Sequence, residues 1–222
     1  MEQFGTKVPI SYLCRESTKL CLQRFNLFIM PRVKLFDEKE VLEKAMTLFW
    51  TKGYFATSVQ DLVNHLGINR ASLYDTYGGK KNLFEQAFKH YRATNTDAVK
   101  KFLASHDEIK TGFKNLFEMA IQESSSDKDS KGCFVVNATI EFIPNEKAFS
   151  PLIQENKRQF EELFCNYLAL GVERNQISKD KNLQAIATLF FTFYNGLKVV
   201  TKVDFDPAEF SKSVDSLLTV LD

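Results

Sequence analysis

Apolar residues recur at three- and four-residue spacing along most of the chain, and no stretch alternates strictly as a strand would, so the pattern predicts helices packed on helices. In "FDEKEVLEKAMTLFWTKGY", Val41, Ala45, Leu48 and Phe49 share one face. Asp37 is the expected N-cap, Glu40 follows three residues on, and Gly53 ends the helix. In "TSVQDLVNHLG", Thr57 and Gln60 stand at capping-box spacing, Val59, Leu62, Val63 and Leu66 form the buried stripe, and Gly67 stops it. "INRASLYDTY" follows within three residues, Gly67 to Asn69, so a third helix must leave the second at a steep angle. Leu73 and Tyr77 fall on its inner side above Ile68, while Arg70, Ala71, Tyr74 and Asp75 spread over an outer face too poor in apolar residues to be core.

A helix then restarts near Lys80, with Leu83, Phe84, Ala87, Phe88 and Tyr91 as its stripe, and runs toward Ala104 as a connecting element. Ile109, Phe113, Leu116, Phe117, Ala120 and Ile121 continue the register in another helix. The polar run "SSSDKDSKG" reads as a solvated loop ahead of "CFVVNATIEFI". Ser150 and Pro151 open a long helix to about Glu173, proline being well placed at a first helical position. Two more helices are expected at roughly 180 to 200 and 207 to 221, the last begun by Asp206, Pro207 and Glu209.

The chain of 222 residues is 44% hydrophobic and 26% charged, enough to bury a real core. A net charge of +1 excludes a globally basic nucleic-acid coat, so local charge matters more. Between residues 30 and 92 there are ten lysines and arginines against seven acidic residues, a surplus of three. Cys14, Cys21, Cys133 and Cys165 lack the paired short spacing of a metal site and read as reduced thiols. His65, His90 and His106 have no nucleophile or carboxylate partner at recognisable spacing, so neither catalysis nor a bound metal or cofactor is expected. No stretch approaches 18 uninterrupted apolar residues, and Arg15, Glu16, Lys19 and Arg24 break up what would otherwise be a signal-peptide core. Residues 1–29 differ in character from the rest and end just before Met30; they are expected to be an extension upstream of the natural start, with a genuine N-terminal arm as the alternative.

A third helix of about eight residues spans roughly 12 Å, close to the width of the major groove of B-form DNA. Its chemistry suits that place. Arg70 can donate two hydrogen bonds to a guanine edge, the hydroxyls of Ser58, Ser72, Tyr74 and Thr76 can reach phosphates, and Lys80 and Lys81 stand at a helix start beside free amides. Tyr77 is read as a packing aromatic.

The segment "FATSVQDLVNHLGINRASLYDTYGGKKNLFEQAF", within a match from about Val41 to Tyr91, resembles the helix-turn-helix signature of the TetR family of bacterial transcriptional regulators. The resemblance implies a cytoplasmic, homodimeric, ligand-responsive repressor that binds a double-stranded DNA operator. Its fold would be all-α: an N-terminal three-helix helix-turn-helix domain, residues 30–79, joined by a connecting helix to a C-terminal helical ligand-binding and dimerisation domain, residues 80–222. Thr57 and Ser58 would open the second helix beside the DNA backbone, and Asn69 would cap the recognition helix. Arg70 and Ala71 would face bases, while Tyr74 and Lys80 would contact phosphate. Thr76 stands where the family commonly has histidine, and Asp75 is a carboxylate on a face meant for DNA.

Helix-turn-helix proteins usually dock as two-fold dimers. "LQAIATLFFTFYNGLKVV" is apolar almost all round, and Leu183, Ile186, Phe190, Phe193, Tyr194 and Leu197, together with Phe210, Val214 and Leu217, form the expected dimer interface. Phe113, Phe117, Met119, Cys133, Phe134, Phe142, Phe164 and Tyr167 are the candidate lining of a pocket for a small hydrophobic effector. A helical small-molecule sensor without DNA binding is the alternative function.

Overall fold

Glycine ends the first three helices among the described residues, and each junction it makes is tight. The computed structural model describes residues 36–126, 131–203 and 206–222; the extension expected over residues 1–29 lies outside them, as do Cys14 and Cys21. All regular elements among the described residues are helical. Helix α1 (Glu38–Lys52) buries Val41, Ala45 and Phe49 and stops at Gly53, whose N–H donates to the Phe49 carbonyl at 2.9 Å. Helix α2 (Val59–Leu66) ends at Gly67, and α3 (Arg70–Tyr77) ends at Gly78, both in the left-handed region that glycine adopts without a Cβ penalty. The 25-residue α4 (Lys80–Ala104) is about 37 Å long at 1.5 Å per residue.

Beyond it lie α5 (Ile109–Ser126), α6 (Phe134–Phe142) and a 3-10 turn at Lys147–Phe149. Then come α7 (Ser150–Glu173), α8 (Leu183–Val200), α9 (Pro207–Leu218) and a closing 3-10 turn at Thr219–Leu221. Pro151 sits in the first turn of α7, and the Asp206 carboxylate accepts the Ala208 N–H at the start of α9. The first three residues of the polar run expected as a loop, Ser124 to Ser126, are helical, because α5 continues to Ser126.

Two apolar cores can be traced among the described residues. The first is an aromatic seam joining α1, α4 and α6. Phe142 lies 4.0 Å from Phe149, 4.8 Å from Phe84 and 4.8 Å from Tyr54 between ring centroids, and Phe134 meets Phe84 edge-on at 5.6 Å. The second lies among α5, α7, α8 and α9, where Phe113, Phe164 and Phe190 are fully buried. Residues Glu38–Asp222 form one compact unit.

Arg92, one of the ten cations between residues 30 and 92, is buried: its guanidinium donates to the Leu152 carbonyl at 3.1 Å and to Gln159 Oε1 at 2.8 Å, tying α4 to α7. Helix α8 is long and apolar enough to cross a membrane, but its Ile186, Ala187, Phe190, Tyr194 and Leu197 are packed inside the second core. Of the residues expected at a dimer contact, Ile186, Phe190, Tyr194 and Leu197 of α8 and Val214 of α9 are buried within their own chain. Leu183, Phe193, Phe210 and Leu217 are half-buried.

Candidate nucleic-acid interface

The start of α2 is set by hydroxyl chemistry, one residue later than its sequence spacing predicts. Ser58, not Thr57, is the N-cap: its hydroxyl accepts the Asp61 N–H at 3.0 Å, and Asp61 Oδ2 accepts the Ser58 N–H at 2.8 Å. Thr57 is 0% exposed, and its hydroxyl donates inward to the Gly53 carbonyl at 2.6 Å, so it offers no side chain to DNA here. Lys52 completes the arrangement with an ion pair to Asp61 at 2.7 Å. That ammonium, together with the Ser58 hydroxyl and N–H, which both donate to Asp61 Oδ2, holds the Asp61 carboxyl well below the usual carboxylate range.

At the next turn, Asn69 Oδ1 accepts the Ser72 N–H at 2.8 Å and caps α3. Leu73 and Tyr77 point inward, and the Tyr77 hydroxyl donates to the Glu38 carbonyl at 3.1 Å. Asn69, Arg70, Ala71, Tyr74 and Asp75 are exposed, and Ser72 and Thr76 are half-buried. The Arg70 guanidinium carbon lies 5.9 Å from the Tyr74 ring centre, on the outer face of the helix. Asp75 forms no ion pair among the described residues.

Tyr74 is 45% exposed, yet its inner edge rests on Gly79. Gly79 has φ +111°, and a Cβ there would come within 3.1 Å of Tyr74 Cε1. The glycine pair thus lets the tyrosine lie against the start of α4. Lys80 carries its Nζ 4.2 Å from the centre of the Tyr54 ring, and burial lowers its pKa despite the opposing fields of Glu141 and Asp61. Lys81 turns the other way, into an ion pair with Glu146 at 2.8 Å. Its hydrogen bond to that carboxylate raises its pKa.

A cavity of about 690 Å³ opens beneath α1, walled by Met46, Trp50, Tyr91, Cys133, Tyr194 and Lys198. The Trp50 indole N–H donates to the Gly132 carbonyl at 3.1 Å and its ring meets Tyr91 edge-on at 5.1 Å. The Tyr91 hydroxyl lies 3.9 Å from Cys133 Sγ, and burial pushes the pKa of this phenol well up. A second cavity, of about 480 Å³, lies between α4 and α7 and includes Thr96, Gln159, Leu163 and Tyr167. The residues singled out for an effector pocket are therefore not one wall. Cys133 faces the first cavity and Tyr167 the second. Phe113, Phe117 and Phe164 fill the second core, with half-buried Met119 packed against it, whereas Phe134 and Phe142 belong to the aromatic seam. Among the described residues no cluster of histidine, cysteine or carboxylate side chains could hold a metal ion.

A short capped helix presented beyond a glycine turn, on an all-helical body with its own core, defines a helix-turn-helix regulator. The comparisons agree. The family described as "Bacterial regulatory proteins, tetR family" matches residues 41–87, and "Tetracyclin repressor-like, C-terminal domain" matches residues 112–217. The HTH-type transcriptional regulator YezE of Bacillus subtilis is 32% identical over 194 residues, covering 87% of this chain and all of its own. The HTH-type transcriptional repressor ComR of Escherichia coli is 25% identical over 177 residues, 76% of this chain and 80% of its own. Among solved structures, the TetR family transcriptional regulator CifR, as a cysteine mutant complexed with 26-bp operator DNA, superposes with a TM-score of 0.77 at 25% identity, covering 86% of this chain and 100% of that one. The chain belongs to the TetR family of transcriptional regulators.

Proposed function

We propose that the protein is a homodimeric, ligand-responsive repressor that places α3 in the major groove of its operator. The observation that carries this reading is the outer face of α3, where Arg70, Ala71 and Tyr74 stand free of the core on a helix capped by Asn69 and closed by Gly78. Arg70 reads a base edge, Ser72 and Tyr74 reach phosphates, and Lys80 contributes charge at the N-terminus of α4. The operator complex of CifR and the repressor activity in ComR's name support the same assignment. A DNA target places the protein in the cytoplasm with the genome.

The dimer contact falls on the outward side of α8. Leu189, Val199 and Val200 are exposed there, and a Cβ built on Gly196 meets nothing within 4 Å. Two copies can approach closely along such a stripe and bury it. The effector occupies the cavity under α1, whose walls are aromatic and sulfur-bearing with Lys198 and Glu123 at one side, paired at 2.6 Å. Because Trp50 belongs to α1 and Tyr91 to α4, a molecule seated there presses on the DNA-binding helices directly. It shifts the equilibrium only if it binds the conformation that fits DNA less tightly than the one that does not.

Protection mapping of the genomic DNA around the protein's own gene tests the reading. A protected pseudo-palindrome, with affinity that falls steeply as salt rises, is the expected result. Absence of any salt-dependent DNA affinity would leave a helical sensor as the better description.

A further inference from the structure

We propose that Glu141 is a positioning residue for DNA binding: its carboxylate grips the loop that carries α2 and thereby aims the helix-turn-helix unit from outside it. Glu141 lies near the C-terminal end of α6, in the part of the chain that follows the connecting helix. Its two oxygens accept consecutive main-chain donors of the α1–α2 loop, Oε2 from the Tyr54 N–H at 3.0 Å and Oε1 from the Phe55 N–H at 2.7 Å. An ionised carboxylate makes each of these bonds stronger than a neutral acceptor would.

The surroundings are shaped for the grip. Gly53, with φ +84°, would bring a Cβ to 3.1 Å from Glu141 Oε1, so a residue without a side chain leaves the carboxylate its approach. The Tyr54 ring is fixed on one side by Phe142, the residue after Glu141, at 4.8 Å and is faced by the Lys80 ammonium at 4.2 Å. Four residues beyond Tyr54, Ser58 caps α2, and a three-residue turn joins α2 to α3. Loop, α2 and α3 follow one another too closely to be aimed independently, so the anchorage of Tyr54 and Phe55 fixes the direction of the recognition helix.

Glu141 is not a DNA contact, and this separates positioning from charge. Removing an acidic side chain beside a phosphate-binding unit strengthens binding on electrostatic grounds alone. Loss of positioning weakens it. The inference rests on the DNA-binding reading but not on the effector cavity.

The test uses full-length wild-type protein and Glu141→Gln, with a duplex enriched by the wild type from random-sequence DNA. Affinity is measured over a salt series well below the melting temperature, and amide hydrogen exchange is followed at Tyr54 and Phe55. The expected result is at least fivefold weaker binding by Glu141→Gln with an unchanged salt slope, together with loss of protection at those two amides while α2 stays protected. A purely structural contribution would lower the melting temperature and leave the affinity of the folded protein unchanged, and equal or tighter binding overturns the proposal. So does rapid, unprotected exchange of Tyr54 and Phe55 in the wild type, which decides the matter even if the variant does not fold. Should the wild type enrich no duplex, DNA binding itself is refuted, and with it a role for the grip in aiming α3.

Discussion

Lys80 Nζ stands 4.2 Å from the centre of the Tyr54 ring, so the first turn of α4 is joined to the α1–α2 loop by a cation over an aromatic face. This contact gives the lysine two separable effects. Lys80→Ala is expected to weaken binding to every duplex, to reduce the salt slope by about one, and to remove about 0.5–1 kcal/mol of cation–π stabilisation. Gel shifts across salt concentrations measure the first two, and urea unfolding the third.

Arg70 should behave differently, because it stands on the outer face of α3 with Tyr74 beneath it. Arg70→Ala should cost about 1–3 kcal/mol against the best operator and relax the preference at one base pair. Binding to a panel of singly substituted operators distinguishes the two patterns. A uniform loss across the panel would make Arg70 a phosphate contact instead.

Alanine at the glycines of this region should not cost equal amounts. Gly67 has φ +68° and open space where a Cβ would go, so Gly67→Ala pays only the left-handed backbone, roughly 1–2 kcal/mol. Gly79→Ala adds a 3.1 Å contact with Tyr74 to a backbone at φ +111°. It should be the more destabilising of the two in urea, and it alone should displace Tyr74 and weaken DNA binding.

Acid should loosen α2 in a predictable window. Lys52 and Ser58 hold the Asp61 carboxyl below its ordinary value, so folding is favoured by its ionised form. For a depressed carboxyl the contribution is fully present above the unfolded value of about 3.9. It is lost as pH falls from there through the lower folded value. Asp61→Asn should lower stability at neutral pH and flatten the dependence below pH about 4, as thermal melts over a pH series would record.

The outward stripe of α8 can be tested by enlarging it. Nothing lies within 4 Å of a Cβ at Gly196, and a mid-helix glycine costs about 1 kcal/mol relative to good helix formers. Gly196→Leu should therefore leave the protomer folded or slightly more stable while dissociating the dimer, which sedimentation velocity would show as a shift to monomer and DNA titration as a loss of affinity.

Much of this architecture was legible because it is local. The spacing of Val41, Ala45 and Phe49, the stops at Gly53 and Gly67, and the Ser150–Pro151 start all act within a few residues, and the helices form where these signals stand. Spacing alone does not choose between Thr57 and Ser58 as the cap of α2, because both carry a hydroxyl with a hydrogen-bonding side chain three residues on. What separates them is the Gly53 carbonyl, which takes the threonine inward. Periodicity tells which face of each helix turns inward but not against which neighbour, so it does not separate Phe113 from Phe142, which lie in different cores. The same limit hid the outer side of α8, where apolar residues occupy both faces. Glu141 gave no signal at all, since its partners are 86 and 87 residues away along the chain.

The aromatic seam of Phe49, Tyr54, Phe84, Phe134, Phe142 and Phe149 has a consequence for how such a regulator can be recombined. A chimera that took its reading head from this chain and cut at Gly79 would strand half of the seam on each parent, with the Trp50 indole and the Tyr54 and Phe55 amides robbed of their acceptors. A graft that keeps the seam whole has to carry α4, α6 and the turn through Phe149 along with α1 to α3. The unit of exchange is set by the packing of phenyl rings, well past the point where the recognition sequence ends.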